Sequence, residues 1–293
     1  MSKDILKKIM ISCPKIDINN KSKFVFISDC HRGDGTWKDD LLPNSNIYMA
    51  ALKYYYKKDF SYVEVGDGDE LWKVSKIGTI YEIHPEIFKI LLKFKNKDKL
   101  YMIVGNHDKI KKSKKFKKEI ECYENDVNKR NLYMLFKDLP IYDGIMLIDN
   151  NVCKNLFVVH GHQVDFLNYQ LSFLSKFLVK YVWGFMEQVF GFKNPTSPAK
   201  SKSRRTVIDR KLERWAKENN QSVLAGHTHR SILNNNGCKY FNDGCCVQPY
   251  SMSCIELENG LLTLVKWKIT SLENGVLCVK RSIISEPINI DCI

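Results

Sequence analysis

Apolar, β-branched runs recur along the chain, and each ends in a short polar cluster: Phe24 to Ser28, Tyr62 to Val65, Tyr101 to Val104, Leu156 to Val159 and Val223 to Ala225. Runs of this length, bounded by Gly and Asp, predict buried strands. Between them, Ile47 to Lys57 and Ile80 to Phe94 carry helical periodicity. The alternation predicts an α/β sheet whose strand-end loops carry the chemistry. Past Lys239 the pattern changes: Cys254 to Leu257 and Leu261 to Trp267 flank Asn259-Gly260, which predicts a hairpin, and Val276 to Arg281 predicts one more strand. The expectation is a second, largely antiparallel sheet packed on the first, with helices outside.

Two segments break the alternation. Lys109 to Lys118 is a lysine run, expected on a solvated loop or helix face. Gln163 to Asn220 is apolar and aromatic from Phe166 to Phe192, then basic from Lys200 to Arg214. Lys176, Lys180 and Glu187 interrupt its apolar part, so it lacks the ~20 apolar residues that span a bilayer. It is expected to be a helical lid insertion, residues 163–220, within one domain spanning 1–293.

With 293 residues, 44% of them hydrophobic, the chain can bury a substantial core, which excludes a disordered tail. A net charge of +13 points to anionic partners such as nucleic acid, lipid headgroups or phosphorylated metabolites, against the plainer reading of a Lys- and Asn-rich composition. Charges in Met1 to Lys8 disfavour a signal peptide, so the expected location is cytoplasmic, with peripheral membrane contact through the lid. Ten cysteines without a Cys-x-x-Cys pair indicate small buried hydrophobes rather than a zinc knuckle.

Five polar clusters follow the predicted strands in order: Asp29-Cys30-His31, Gly66-Asp67-Gly68-Asp69, Gly105-Asn106-His107-Asp108, His160-Gly161-His162 and Gly226-His227-Thr228-His229. One strand-end Asp is ordinarily a turn former or helix cap. Five such clusters in register need another explanation. The spacing of two in Asp29-x-His31 and His227-x-His229 puts both side chains on one side of an extended segment, where imidazole and carboxylate can share a metal.

This order resembles the calcineurin-like metallophosphoesterases, whose signature runs D-x-H, G-D, G-N-H-D, a later H and G-H-x-H. The resemblance implies an α/β double β-sheet sandwich flanked by helices, with two divalent metals at the carboxyl ends of the strands. It implies that Asp29, His31 and His229 hold one metal, that Asn106, His160 and His227 hold the other, and that Asp67 bridges them. Such donors suit manganese first, with iron or zinc as alternatives. A water between two such cations loses a proton near neutral pH and attacks phosphorus in line. His107 is implied to face the substrate and protonate the leaving oxygen, with Asp108 orienting it through the other ring nitrogen.

The other residues carry weaker signals. His162 has a substrate-side and a structural reading. Asp69 and Glu70 shape the loop after Asp67, and Trp72 is wall or core. His84 is expected at the surface, Cys30 in the core, and Asn242-Asp243-Gly244 as turn chemistry or a ligand-supporting loop.

The insertion is similar to the lid of the UDP-2,3-diacylglucosamine pyrophosphohydrolases. That similarity implies an acyl groove lined by residues such as Phe166, Phe173 and Trp183, with Lys200, Lys202, Arg204 and Arg205 facing phosphate or anionic lipid. That branch typically carries Arg in place of His107, and the lysine run is foreign to it. The resulting expectation is a di-metal phosphohydrolase that cleaves a phosphodiester or pyrophosphate bond in a nucleotide- or lipid-linked substrate. The alternatives are a phosphomonoesterase acting on protein or small molecules, for which Arg32 would be the phosphate grip, a nuclease, and a non-catalytic scaffold.

Overall fold

The central strands are apolar at every position because both of their faces are covered. In the computed structural model, which describes residues 2–151, 154–165, 202–234, 237 and 239–292, helix α1 (Ser2–Ser12) and strand β1 (Lys15–Ile18) precede the first predicted strand, β2 (Phe24–Ile27). Then come α2 (Ser45–Lys57), β3 (Ser61–Val65), α3 (Ile77–Ile83), α4 (Pro85–Lys95), β4 (Leu100–Ile103), α5 (Lys114–Glu121) and α6 (Arg130–Phe136). The strands β5 (Ile141–Tyr142), β6 (Gly144–Asp149) and β7 (Lys154–Val159) follow, then α7 (Lys202–Glu218) and β8 (Ser222–Ala225). The last strands are β9 (Ser231–Ile232), β10 (Tyr240–Asp243), β11 (Ser251–Glu258), β12 (Leu261–Ser271), β13 (Leu277–Ile283) and β14 (Ile288–Asn289).

Two sheets form. One runs β13-β12-β11-β2-β3-β4-β5 with β14 beside β12; the other runs β1-β6-β7-β8-β10-β9. Phe24 and Phe26 of β2 join Val63, Leu156, Leu224 and Phe241 in the core between the sheets, while Val25 and Ile27 face Tyr48, Leu52, Phe88 and Leu91 of the outer helices. On the opposite outer face, Leu6 of α1 and Leu212 and Trp215 of α7 cover Phe157, Val159 and Val223. The result is the mixed α/β architecture expected from sequence, two sheets flanked by helices.

Three expectations change in detail. The C-terminal hairpin forms, with Asn259 and Gly260 in left-handed conformations (φ 53° and 73°), but β11 pairs antiparallel with β2 and extends the first sheet; the second sheet comes from β1, β6 to β8, β9 and β10. The helical stretch from Ile80 to Phe94 is two helices. Pro85 starts the second because proline lacks the N–H that continuation would use. Lys109 to Lys118 is largely exposed, yet Lys111 is buried. The lid aromatics, residues 166–192, and Lys200 lie outside the described residues, as do the side chains of Lys202 and Arg204. No helix among the described residues is long and apolar enough to cross a membrane.

Candidate active site

The loops that leave β2, β3 and β4 in one sheet and β7 and β8 in the other converge at the mouth of the sandwich. Asp29 (φ 50°), His31 (48°), Asp67 (52°), His227 (68°) and His229 (56°) all sit in the left-handed region. That region costs non-glycine residues energy and is occupied where surrounding structure holds it, commonly at functional sites. Glycine is required beside them: a Cβ on Gly105 would lie 2.0 Å from Asp67 Oδ1.

The predicted donors fall into groups. Asp29, His31 and His229 each place a donor atom within 4.8 Å of the others; so do Asp67, His160 and His227, and so do His31, Asp67 and His107. Asp29 Oδ1 lies 3.1 Å from His229 Nε2 and 3.7 Å from His31 Nε2. Asp67 Oδ2 lies 3.2 Å from His160 Nε2. His160 Nδ1 is 2.8 Å from the Val65 carbonyl, so it carries a proton and turns Nε2 toward the site. Asn106 Oδ1 is buried without a hydrogen-bond partner, while Asp29 Oδ1 and His160 Nε2 have only their ion-pair partners. Buried polar atoms are rarely left so.

Burial and neighbouring charge compete at the carboxylates and imidazoles of the donor groups. Burial alone would raise the carboxyls of Asp29 and Asp67, but His229 and His160 hold Asp29, and His160 and His107 hold Asp67, well below the usual carboxylate range. Burial alone would lower His160 and His229; Asp67 and Asp29 push His160 up to about 9, and Asp29 pushes His229 up to about 10. Protonated imidazoles thus balance the carboxylates where no metal is present. Burial pulls His227 and His162 down instead.

The expectation that Asp108 orients His107 is not met. His107 Nδ1 lies 2.7 Å from Glu70 Oε1, and the other Glu70 oxygen lies 3.1 Å from His31 Nδ1. Burial would raise Glu70, but His107 and Lys73 hold it well below its ordinary value, so it is an ionised acceptor between the two imidazoles. Trp72 stacks on the His107 ring at 4.2 Å. Asp108 accepts instead from Gly105 N (2.8 Å), Gly68 N (3.2 Å) and Lys111 Nζ (2.9 Å), where it braces the loops. The only sequence signal for Glu70 was its place three residues after Asp67, on the same tight loop.

Further residues support the donors from behind. Asp165, which no motif marked, lies 3.2 Å from His227 Nε2. Asp29 Oδ2 accepts from His227 N at 2.7 Å and from Ser28 Oγ at 2.6 Å; Ser28 Oγ also lies 2.6 Å from Asp243 Oδ1. Burial pushes Asp243 well up. A hydroxyl has one proton, so a neutral Asp243 donates to Ser28 and Ser28 donates to Asp29. Asn242 Nδ2 holds the Gly226 carbonyl at 2.8 Å, which gives Asn242-Asp243 a supporting role in the site.

Next to the donors lies a second group of buried acids, Glu64, Asp69 and Asp108. Arg32 pairs with Asp69 and Glu64 at 2.7 Å each, and Lys111 pairs with Asp69 at 2.6 Å and Asp108 at 2.9 Å. Arg32 is fully buried there, which removes it as a grip for substrate phosphate. His84 is likewise buried rather than at the surface, with Nε2 2.7 Å from Asp39 Oδ2. Cys30 turns into the core, its sulfur 3.4 Å from that of Cys246.

A family model described as calcineurin-like phosphoesterase matches residues 22–231. No curated protein matches the chain. Among solved structures, a point mutant of a cold-active protein tyrosine phosphatase is 14% identical, over 90% of this chain and 81% of that one, at a TM-score of 0.40. Vps29 from Chaetomium thermophilum is 11% identical, over 89% of this chain and 96% of its own, at a TM-score of 0.36.

Proposed function

We propose, from the premise that the chain belongs to the calcineurin-like phosphoesterase family and is a metal-dependent phosphoesterase, that it cleaves a phosphodiester or pyrophosphate bond in a nucleotide- or lipid-linked substrate. The observation that carries the two-cation chemistry is the position of Asp67, whose carboxylate lies within 4.8 Å of a donor on the candidate ligand His31 and also of donors on His160 and His227. One acid shared by two donor groups is what a pair of cations needs.

The residues fit such a pair. Asn106 Oδ1 is a buried acceptor without a hydrogen-bond partner, Asp29 Oδ1 and His160 Nε2 face only groups whose protons a cation can replace, and the set combines imidazole, carboxylate and amide donors. Asp29, His31 and His229 would hold one ion and Asn106, His160 and His227 the other, with Asp67 between them; manganese suits them best, iron or zinc next. When bound, such ions lower the pKa of water and neutralise phosphoryl charge. The protein's own part is proton transfer and placement. Ionised Glu70 would accept a hydrogen bond from Nδ1–H of a His107 imidazolium, whose Nε2–H would then pass its proton to the departing oxygen and leave neutral His107 still bonded to Glu70, while Trp72 holds the ring plane.

The burial of Arg32 among Glu64 and Asp69 favours diester or anhydride over monoester, whose extra charge calls for a cationic grip. The test is Mn²⁺-dependent hydrolysis of bis(p-nitrophenyl) phosphate against p-nitrophenyl phosphate, with Asp67→Ala alongside. Faster diester cleavage that is lost in the variant is expected; a monoester preference overturns the reading.

A further inference from the structure

A cleft of about 620 Å³ opens between α1, the turn that follows Asp108, and the loop after β7. We infer that it is a subsite for an anionic group of the substrate beyond the phosphate being cleaved, such as the second phosphate of a pyrophosphate. The inference rests on the phosphohydrolase reading above.

Position and charge carry it. Lys8 of α1, Lys109 and Lys112 line the cleft with Asp143, His162 and Gln163. Asp143 pairs with Lys112, so positive charge is in excess. One wall continues directly from the candidate site: His162 sits 5.4 Å, ring to ring, from His160, and Lys109 follows Asp108 in the chain. The turn is preorganised. Lys111, between the two lining lysines, is buried with its ammonium on Asp108 and Asp69, which pins the segment that presents Lys109 and Lys112. The lysine run therefore has two jobs, one residue anchoring inward and its neighbours facing the cleft. Helix α1, which supplies this wall, lies outside the family match at 22–231. Ammonium groups act on phosphate as point charges, which suits a group whose exact pose is loosely defined.

The test compares methylene diphosphonate with methylphosphonate as inhibitors of bis(p-nitrophenyl) phosphate hydrolysis by the Mn²⁺-loaded protein, and as ligands in thermal shift. Variants are Lys8→Glu and Lys109→Glu, both at exposed positions, with a thermal melt of each beside the wild type. The wild type should bind the diphosphonate roughly tenfold more tightly than the monophosphonate, and each variant should lose most of that ratio, as removal of one charge-assisted contact would give. A ratio near one in the wild type, or a ratio preserved in both variants, overturns the subsite. If the wild type hydrolyses no diester, it is the phosphohydrolase reading that fails, and the thermal-shift ratio alone decides the cleft on the same terms. Because the contacts are solvent-facing, the ratio should fall as salt is raised.

Discussion

Two groups of buried acids lie side by side at the end of one sheet, and only one of them has the properties of a metal centre. Glu64, Asp69 and Asp108 are as close together as Asp29 is to its histidines. Arg32 and Lys111 fill that first group with permanent charge and satisfy its carboxylates. Asp29 and Asp67 have only imidazoles as counter-charges, side chains that can give up their protons, and beside them Asn106 Oδ1 is buried without a hydrogen-bond partner. Proximity of carboxylates is therefore a poor sign of a metal site. The better sign is a buried acid whose counter-charge is exchangeable, beside acceptors left over.

The sharpest way to break this comparison is to remove one acid from each group. Asp67→Asn keeps the acceptor for His107 N but loses the shared charge. Metal-dependent turnover should fall about a thousandfold or more, as several kcal/mol of charge stabilisation would require at about 1.4 kcal/mol per tenfold, while the metal-free protein loses only the stability that the Asp67–His160 pair supplies. Steady-state kinetics beside a thermal melt measure both. Residual activity near wild type would mean that Asp67 is not shared between cations.

The mirror experiment acts on the other group. Lys111→Met leaves Asp69 and Asp108 buried with less compensation, which should cost roughly 3–5 kcal/mol of stability, while turnover per folded molecule changes far less than in Asp67→Asn. The urea midpoint reports the first quantity. An unchanged midpoint would mean that water reaches this network and that the two groups differ less than their geometry says.

Glu70 belongs to neither group and links the candidate ligand His31 to the candidate acid His107. Glu70→Gln should lower turnover about 10–100-fold, the usual cost of removing a group that orients a ligand. The loss should be larger for aryl phosphodiesters with poor leaving groups, which need the proton from His107, than for nitrophenyl esters. Equal losses across that series would indicate damage to metal binding alone.

Much of this was legible in the sequence, and the limits were physical. Strand positions, and the polar clusters at their ends that converge on the candidate site, could be read because a strand buried on both faces is uniformly apolar and its end is abrupt. Partnership across the sheet was not legible: β11 joins β2 rather than starting a second sheet, because pairing depends on contacts far apart in sequence. Neighbourhood in sequence also misled. Asp108 adjoins His107 in the chain but turns to backbone amides and Lys111, while Glu70, at a separation of 37 residues, reaches the ring. Lys111 looked like its solvated neighbours, since a run of one residue type carries no periodicity to show which member turns inward.

The smallest expected effect is the most specific, because it depends on protons standing where cations would. In the metal-free protein, His160 titrates at about 9 and His229 at about 10, against an ordinary 6.5. A raised folded-state pKa contributes stability that is fully present below 6.5 and is lost as pH rises through the folded value. The metal-free melting temperature should therefore fall between pH 7 and 9.5, a window set by these two imidazoles together with His31, which burial would lower but Asp29 and Glu70 hold well above its ordinary value. With Mn²⁺ bound the ligand imidazoles are already neutral, so the loaded protein should lose less over the same range, and loading at pH 7 should release protons. Melts at the two pH values, with chelator and with Mn²⁺, measure the gap. Lys111→Met should keep that gap, since burial alone would lower Lys111 but Asp108 and Asp69 hold it above the window. Asp67→Asn should shrink the gap, since Asp67 is the main charge that raises His160. A gap unaffected by Asp67→Asn would place the exchangeable protons elsewhere.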